Sequence, residues 1–199
     1  MRIELNFEGE FAADFRALAR ALGETRDLNR VIATVAAEVT QSYLLALNAG
    51  RHPTAERLGA RPTQHYAKAA RALEHGYDEK AAYLELPAWT GLGRAFGPVE
   101  ITPKNGKEFL TIPAHRLAYG RSAREFDNLS FVSFGKVAAL VAEAESTAKP
   151  VIMYWLVRGV TIPEDRTVLP SDELYEAAIE DGASEWLEIV ISENGGLAA

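Results

Sequence analysis

The sequence predicts an α+β fold, with N-terminal helices packed on an antiparallel β-sheet that includes a long hairpin, and with an acidic helix near the C-terminus. Three observations predict it. Apolar residues recur at helical spacing between about residues 11 and 48, short apolar stretches separated by turn residues follow between 81 and 162, and a last helical pattern begins at Ser171. Helices before and after a run of strands, without strand–helix–strand alternation, are typical of α+β folds.

The first 50 residues predict one strand and two helices. Residues 3–7 (Ile-Glu-Leu-Asn-Phe) alternate apolar and polar side chains, the pattern of a half-buried strand. The first helix ends at Gly23, and the second begins with Asp27 as its N-cap and ends near Asn48. The apolar stripe of the first helix consists of Phe11, Phe15, Leu18, Ala19 and Leu22, and that of the second of Leu28, Val31, Ile32, Val35, Val39 and Leu47.

The next segment predicts a connection and a third helix. Residues 51–62 include Pro53 and show no clear period, so we expect an extended connection there. Thr63 is a suitable N-cap for a helix that continues to about His75 and ends at Gly76.

Apolar stretches between residues 81 and 162 predict strands. They are 81–86, 99–102, 109–112, 130–134, 136–141 and 151–162. The tetrapeptide Lys104-Asn105-Gly106-Lys107 contains the Asn-Gly pair favoured in type I′ turns, because both central residues need a positive φ. We therefore predict a hairpin with this tetrapeptide at its tip.

The stretch 151–157 is the most apolar of these strands. Tyr154 and Trp155 point to opposite faces of an alternating strand, and both have apolar neighbours two residues away. Because both faces are apolar, this strand is either central in the sheet and covered twice or buried in an assembly.

The last helix begins after Pro170 with Ser171 as its N-cap. Asp172 and Glu173 suit its first turn, where the helix dipole favours anions, so a capping role is expected rather than a catalytic carboxylate pair. Gly182 is expected to weaken the helix midway. The apolar side consists of Tyr175, Ile179, Trp186 and Val190.

Length and charge constrain the organisation of the chain. We expect one domain over residues 1–199, with a mainly helical region over 1–76, a β-rich region over 77–163 and an acidic helix and tail over 164–199. The last region contains ten Asp and Glu and one Arg, a net charge of −9, so the remainder has a net charge of +2 in a chain of −7. A nucleic-acid binder that grips the phosphate backbone would cluster Lys and Arg instead. No apolar run approaches the about 20 residues of a membrane span, and without cysteine there is no disulfide or cysteine-ligated metal.

Residue patterns typical of catalysis or metal binding are not visible. The four histidines do not match metal-ligand spacing, and neither Gly120-Arg121-Ser122 nor Ser133-Phe134-Gly135 completes a Gly-x-Ser-x-Gly nucleophile elbow. We therefore expect no catalytic residue, no cofactor and no metal. The enzymatic alternative is a small hydrolase that uses His65 or His115 with a nearby acid.

Several blocks between residues 50 and 175 resemble the virion-morphogenesis proteins of tailed phages, the family of Mu-like tail-completion proteins. The blocks are His52-Pro53 with Leu58-Gly59-Ala60-Arg61-Pro62-Thr63-Gln64-His65-Tyr66-Ala67-Lys68-Ala69-Ala70, then Ile101-Thr102-Pro103-Lys104-Asn105-Gly106-Lys107, Leu110-Thr111-Ile112-Pro113-Ala114, Ala118-Tyr119-Gly120-Arg121, and Met153-Tyr154-Trp155-Leu156-Val157-Arg158-Gly159-Val160-Thr161. None of these blocks contains a catalytic signature.

The resemblance implies a structural component of the phage neck, a head–tail connector or tail-completion (tail terminator) protein. Such a protein is made in the host cytoplasm and assembles into a homo-oligomeric ring, a hexamer or dodecamer, that contacts other neck, portal or tail-tube proteins. DNA would pass through the ring without sequence-specific contact, and no membrane is involved. A ring subunit needs two different adhesive surfaces, and the candidate interface residues are Trp89, Lys104, Asn105, Gly106, Lys107, Tyr119, Arg121 and Trp155.

Two further alternatives remain open at this stage. One is a minor head or assembly-associated virion protein that does not form the ring. The other is a binding domain unrelated to phage.

Overall fold

The protein has an α+β fold of helices and antiparallel sheets with a C-terminal helix, as predicted. The structure is a computed structural model. It describes residues 1–5, 10–50, 52–135, 137–142 and 149–193.

The helices and strands follow the chain in this order. The helices are α1 Glu10–Leu22, α2 Thr25–Gly50, α3 Pro53–Leu58, α4 His65–Arg71 and α5 Asp172–Glu193. The strands are β1 Arg2–Leu5, β2 Glu74–Tyr77, β3 Ala82–Glu85, β4 Val99–Ile101, β5 Leu110–Pro113, β6 Leu129–Ser133, β7 Ala138–Ala142, β8 Val151–Val157 and β9 Val160–Ile162. Short 3₁₀ helices cover Ala88–Thr90, Leu92–Phe96, Ala123–Glu125 and Arg166–Val168.

The chain divides into two compact units. The first unit contains Met1–Ala49, His65–Phe96 and the described residues from Asp165 onward, and the second contains Gly50–Gln64 and Gly97–Glu164. Strands β1, β3 and β2 form an antiparallel sheet of the first unit in that order. The second unit has a two-stranded sheet of β4 and β9 and a four-stranded antiparallel sheet in the order β5-β8-β7-β6.

The unit boundaries differ from the three consecutive regions predicted at 1–76, 77–163 and 164–199. Residues distant in sequence share one core, because Ala82 of β3 and Ile179 of α5 pack in the same apolar cluster as Leu28 of α2. Local patterns identify such elements but not which of them pack together. A single domain over 1–199 stays a prediction.

Helix α2 is the centre of the first unit. Its residues Leu28 and Ile32 are buried with α1 and α5, and Ala36 and Ala37 pack on Leu84 of the sheet. The predicted packing of N-terminal helices on an antiparallel sheet is therefore confirmed within this unit.

By length and composition alone, the helical stretch Thr25–Leu58 is long and apolar enough to cross a membrane. Core helices of soluble proteins pass the same test.

The predicted apolar side of α5 is confirmed, whereas the weakening expected at Gly182 stays a prediction. Ile179, Trp186 and Val190 are buried, and the helix continues through Gly182 without a break. A Cβ atom at Gly182 would lie 2.7 Å from Cγ2 of Val35. The glycine therefore allows close approach of α5 to α2.

Two local predictions near residue 60 are wrong. The connection predicted at 51–62 contains the short helix α3, which begins with Pro53 and ends at Gly59, whose φ of 58° is left-handed. The helix predicted from Thr63 to His75 ends at Arg71 instead. Arg51 lies outside the described residues.

Gly76 explains why a strand replaces the end of that helix. It lies opposite Tyr83 in the pairing of β2 with β3, and a Cβ atom there would lie 2.5 Å from the Tyr83 hydroxyl oxygen. A glycine in this position gives the tyrosine ring room to lie across the neighbouring strand. Gly76, which was expected to end a helix, is therefore part of the pairing between β2 and β3.

The remaining strand predictions are confirmed within one or two residues, except that the last stretch is interrupted. The segment 151–162 divides into β8 and β9 at Arg158 and Gly159. The side chains of Phe11 and Leu22, and the residues Phe7 and Lys136, lie outside the described residues.

The predicted turn at Lys104–Lys107 is confirmed, but the hairpin around it is wrong. Asn105 and Gly106 have φ values of 59° and 72°, and the Lys107 amide donates to the Lys104 carbonyl over 3.3 Å. The flanking strands do not pair with each other, because β4 pairs with β9 and β5 pairs with β8. The apolar segment 151–162 is long enough to pair with both, and the turn lies on an excursion between them.

Candidate interaction surfaces

Strand β8 is central in the four-stranded sheet, between β5 and β7. Met153 and Tyr154 are 3% and 1% exposed, whereas Trp155 is 37% exposed. Of the two alternatives left open by the sequence, the central position is confirmed, but cover on both faces is not. One of its two faces leaves a large aromatic side chain accessible, so Trp155 remains an interface candidate.

The Tyr154 hydroxyl connects β8 to the loop that contains Tyr119 and Arg121. It donates toward the carbonyl oxygens of Ala118 and Arg121, at 3.3 and 3.0 Å. Burial raises the pKa of the Tyr154 phenol, which keeps the donor proton in place. The tyrosine therefore fixes the path of this loop over the sheet.

Arg121 makes several contacts within its own loop. Its guanidinium donates to the side chain and to the carbonyl of Glu125 and lies 4.1 Å from the centre of the Phe126 ring. The Ser122 amide donates to Glu125 over 2.7 Å and, with Arg121, lowers the pKa of that carboxyl. Arg121 and half-buried Tyr119 thus belong to a preformed loop, and the guanidinium stays partly accessible.

Trp89 is 55% exposed on the 3₁₀ helix between Pro87 and Gly91. The His65 ring packs edge-on against it with the ring centres 6.3 Å apart. His65 Nε2 donates to the Thr90 carbonyl over 3.0 Å, so this histidine holds the turn on which Trp89 lies. An exposed tryptophan supported in this way has the form of an interface anchor.

Sequence reasoning missed a buried contact in the first unit. Arg94 donates to the Tyr66 hydroxyl over 2.9 Å, and its backbone carbonyl accepts the Asp165 amide. Its Nε is the one buried side-chain nitrogen or oxygen without a hydrogen-bond partner among the described residues. No spacing in the sequence joins residues 66, 94 and 165, so no local signal could have found this contact.

Strands β4 and β9 form a ribbon with one aliphatic and one polar face. The aliphatic face consists of Val99, Ile101, Val160 and Ile162, which are paired across the ribbon, and the polar face of Glu100 and Thr161. Ile101 and Val160 lie opposite each other and are 36% and 37% exposed. The exposed turn Lys104–Lys107 follows β4 closely, so the ribbon has an apolar face and a cationic end.

The β6–β7 hairpin exposes a second apolar area. Phe131 on β6 and Phe134 and Val137 at the turn are all about half exposed, at 59%, 56% and 47%. Strand β6 is an edge of the sheet and contains no charged residue. Such an edge favours pairing with another strand.

Helices α2 and α5 form a shallow groove in the first unit, which we call the α2–α5 groove. It is lined by Glu38, Val39, Ser42, Tyr43 and Leu174 and has a volume of about 310 Å³. Leu174 is 45% exposed there. The outer face of α5 around it is acidic and consists of Asp172, Glu173, Glu176, Glu180, Asp181, Glu185 and Glu188, all exposed.

Two histidines proposed for the hydrolase alternative have local partners. His65 binds the Thr90 carbonyl, and His115 Nδ1 accepts the Leu117 amide over 3.3 Å. Within the stretches of chain that the structure describes, no group of three or more His, Asp or Glu side chains could hold a metal ion.

Comparisons with models of protein families, with curated proteins and with solved structures found no match to this chain.

Proposed function

We propose that this chain is a structural subunit of a tailed-phage virion, a head–tail connector or tail-completion protein. In this proposal, copies made in the host cytoplasm assemble into a hexameric or dodecameric ring at the neck that joins the tail to the head. The ring contacts portal, neck or tail-tube proteins, and it is not an enzyme.

The observation that supports the proposal best is the spatial relation of the blocks that resemble tail-completion proteins. Ile101 pairs with Val160, and Leu110–Pro113 pair with Tyr154–Val157. The Tyr154 hydroxyl also reaches the carbonyl oxygens of Ala118 and Arg121. Four blocks that are separate in sequence thus contact one another in the second unit. A chance resemblance between unrelated segments gives no reason for such clustering.

The surface offers the adhesive areas that a ring subunit needs. Trp89, Phe96, Phe131 and Phe134 are each more than half exposed. They are distributed over both units. Separate apolar areas on one chain suit contacts with more than one neighbour.

The acidic outer face of α5 suits a channel for DNA. The described residues of α5 include no basic side chain that could neutralise its exposed acids. If this face lines the ring, repulsion of the phosphate backbone lets DNA move without adhering.

Electron microscopy of intact particles tests the proposal. We expect a closed ring of this chain between head and tail, with six or twelve copies per particle by quantitative mass spectrometry. Another copy number, or a position within the head shell, would favour a minor head or assembly-associated protein and contradict the neck assignment. Hydrolase activity that is lost in His65→Ala or His115→Ala, with assembly retained, would contradict it as well.

A further inference from the structure

The ribbon of β4 and β9 has an aliphatic face that is only partly covered within the chain. Two paired strands of three residues are marginally stable in water unless an apolar face is covered. Its aliphatic face has Val99 and Ile162 half-buried at one end, whereas Ile101 and Val160 at the other end are exposed. The exposed end is the one that leads to the Lys104–Lys107 turn. A surface that covers Ile101 and Val160 therefore also contacts Lys104 and Lys107.

The α2–α5 groove complements the ribbon, because it is apolar where the ribbon is aliphatic and negatively charged where the ribbon turn is positively charged. Val39, Tyr43 and Leu174 give it apolar walls. Release of water from such walls by aliphatic side chains is favourable. Glu38 is one of the residues that line the groove. The apolar centre thus has an acid beside it.

We propose that the ribbon of one copy docks through its aliphatic face into the α2–α5 groove of a second copy, with Lys104 and Lys107 beside Glu38 of that groove. This inference rests on the proposed ring and names the contact that builds it. The ribbon turn is positively charged and the groove has a negative charge. Because each chain contains both surfaces, the occupant of the groove is a second copy of this chain. Two different surfaces meet in this contact, and repetition of such a contact builds a ring when the rotation between copies closes.

The first test removes each surface in turn. Ile101→Thr with Val160→Thr keeps the β-branched shape of the ribbon but makes its exposed end polar, and Leu174→Gln makes the groove polar with a good helix former. Sedimentation velocity over a range of concentrations is expected to show at least a tenfold weaker self-association for each variant. Glu100→Gln on the polar face of the ribbon is the matched control and is expected to assemble as the unchanged chain does.

Mixing the two variants tests which surfaces meet. Each variant keeps one intact half of the contact, so an equimolar mixture is expected to form one-to-one heterodimers at concentrations where each variant alone is monomeric. Rings are not expected, because the second contact of each heterodimer is defective. If both variants are weakened but the mixture stays monomeric, the ribbon and the groove are not partners and the inference is overturned.

A charge exchange gives a second route that spares the apolar residues. Lys104→Glu with Lys107→Glu is expected to weaken association, and addition of Glu38→Lys chains is expected to restore it in part. Far-UV circular dichroism and the thermal transition establish that each variant is folded. If Leu174→Gln does not fold, Glu38→Lys replaces it as the groove variant.

The outcomes separate this inference from the proposed function. If the unchanged chain forms rings and the ribbon variants form them equally well, only the ribbon contact is wrong. If the unchanged chain stays monomeric at all concentrations and in particles, the ring itself is wrong and the contact falls with it.

Discussion

Gly182 shows how a single residue sets the distance between two helices. The methyl group of an alanine there would overlap Cγ2 of Val35, at 2.7 Å, and valine in a helix has one strongly preferred rotamer that prevents it from turning away. Overpacking of a core costs about 1–3 kcal/mol, whereas alanine gains about 1 kcal/mol over glycine as a helix former. The two effects oppose each other, and the stiffness of Val35 favours the loss.

We therefore expect Gly182→Ala to lower the free energy of unfolding by about 1 kcal/mol, measured by urea denaturation. Adding Val35→Ala removes the overlapping methyl group, so the cost of Gly182→Ala should vanish in that background. Ser184→Ala, at an exposed position of the same helix, is the control and should be slightly stabilising, because alanine is the better helix former. A stabilised Gly182→Ala chain would show that α5 does not pack this closely on α2.

Thr40 and Tyr175 form a buried polar contact between the same two helices. Thr40 donates to the Ala36 carbonyl over 2.7 Å, so the Tyr175 hydroxyl, 2.6 Å away, donates to Thr40. Burial raises the pKa of Tyr175 above its ordinary value of 10.0. The folded state thus favours the neutral phenol.

This raised pKa predicts a loss of stability at alkaline pH. The contribution of the neutral phenol is fully present below pH 10, the unfolded value, and is lost as the pH rises through the higher folded pKa. We expect Tyr175→Phe to be less stable than the unchanged chain by about 1 kcal/mol near pH 8, because the hydrogen bond is gone. The difference should shrink above pH 10. Chemical denaturation at both pH values measures it, and a difference that is independent of pH would contradict the assignment.

At the scale of elements, the strength of the local pattern decides what the sequence predicts. Helices α1, α2 and α5 are long enough for an apolar stripe to emerge, and their bounds agree with the predicted ones within a few residues. Strand β2 is not predictable in this way, because the room that Gly76 makes for Tyr83 exists only once β3 lies beside it. Helix α3 had a local signal in Pro53 and Gly59, but its six residues are too few to show a period.

The pairing of the strands was less predictable from the sequence than the turns between them. The Asn105–Gly106 turn was predictable from two residues, since its positive φ values are a local requirement. That β4 and β5 pair with β9 and β8 depends on a segment about fifty residues away. The same limit applies to the candidate surfaces, because Trp89 is a single residue that the sequence analysis could name, whereas the ribbon and the α2–α5 groove each need two distant segments.

The turn itself yields a prediction at this scale. Nothing lies within 4 Å of a Cβ atom at Gly106, so an alanine meets no obstacle there, and only its φ of 72° is unfavourable. We expect Gly106→Ala to cost about 1 kcal/mol from the left-handed backbone alone. Thermal unfolding monitored by circular dichroism measures it, and Lys107→Ala at the next residue is the control. A neutral result would show that the turn adopts another conformation.

At the scale of the whole molecule, charge is unevenly distributed along the chain. The acids are concentrated on the outer face of α5, and the lysines of the ribbon turn lie in the other unit. In a ring, one arrangement brings these opposite charges together at subunit contacts and leaves the rest of the acidic face toward the channel. The proposed contact involves only the start of α5, near Leu174, so Glu185 and Glu188 stay available to face DNA.

The absence of cysteine from the chain makes this arrangement directly testable. A single Glu185→Cys substitution places one thiol on the exposed face of α5, far along the helix from the groove. In DNA-filled particles we expect this thiol to resist a bulky maleimide reagent that reacts readily with the dissociated subunit, because a face that lines the DNA channel is closed to large solutes. Thr161→Cys on the polar face of the ribbon is the control for labelling of the subunit. Equal reaction of Glu185→Cys in particles and in free subunits would place α5 on the outer wall, and the repulsion of DNA by its acids would then have no role.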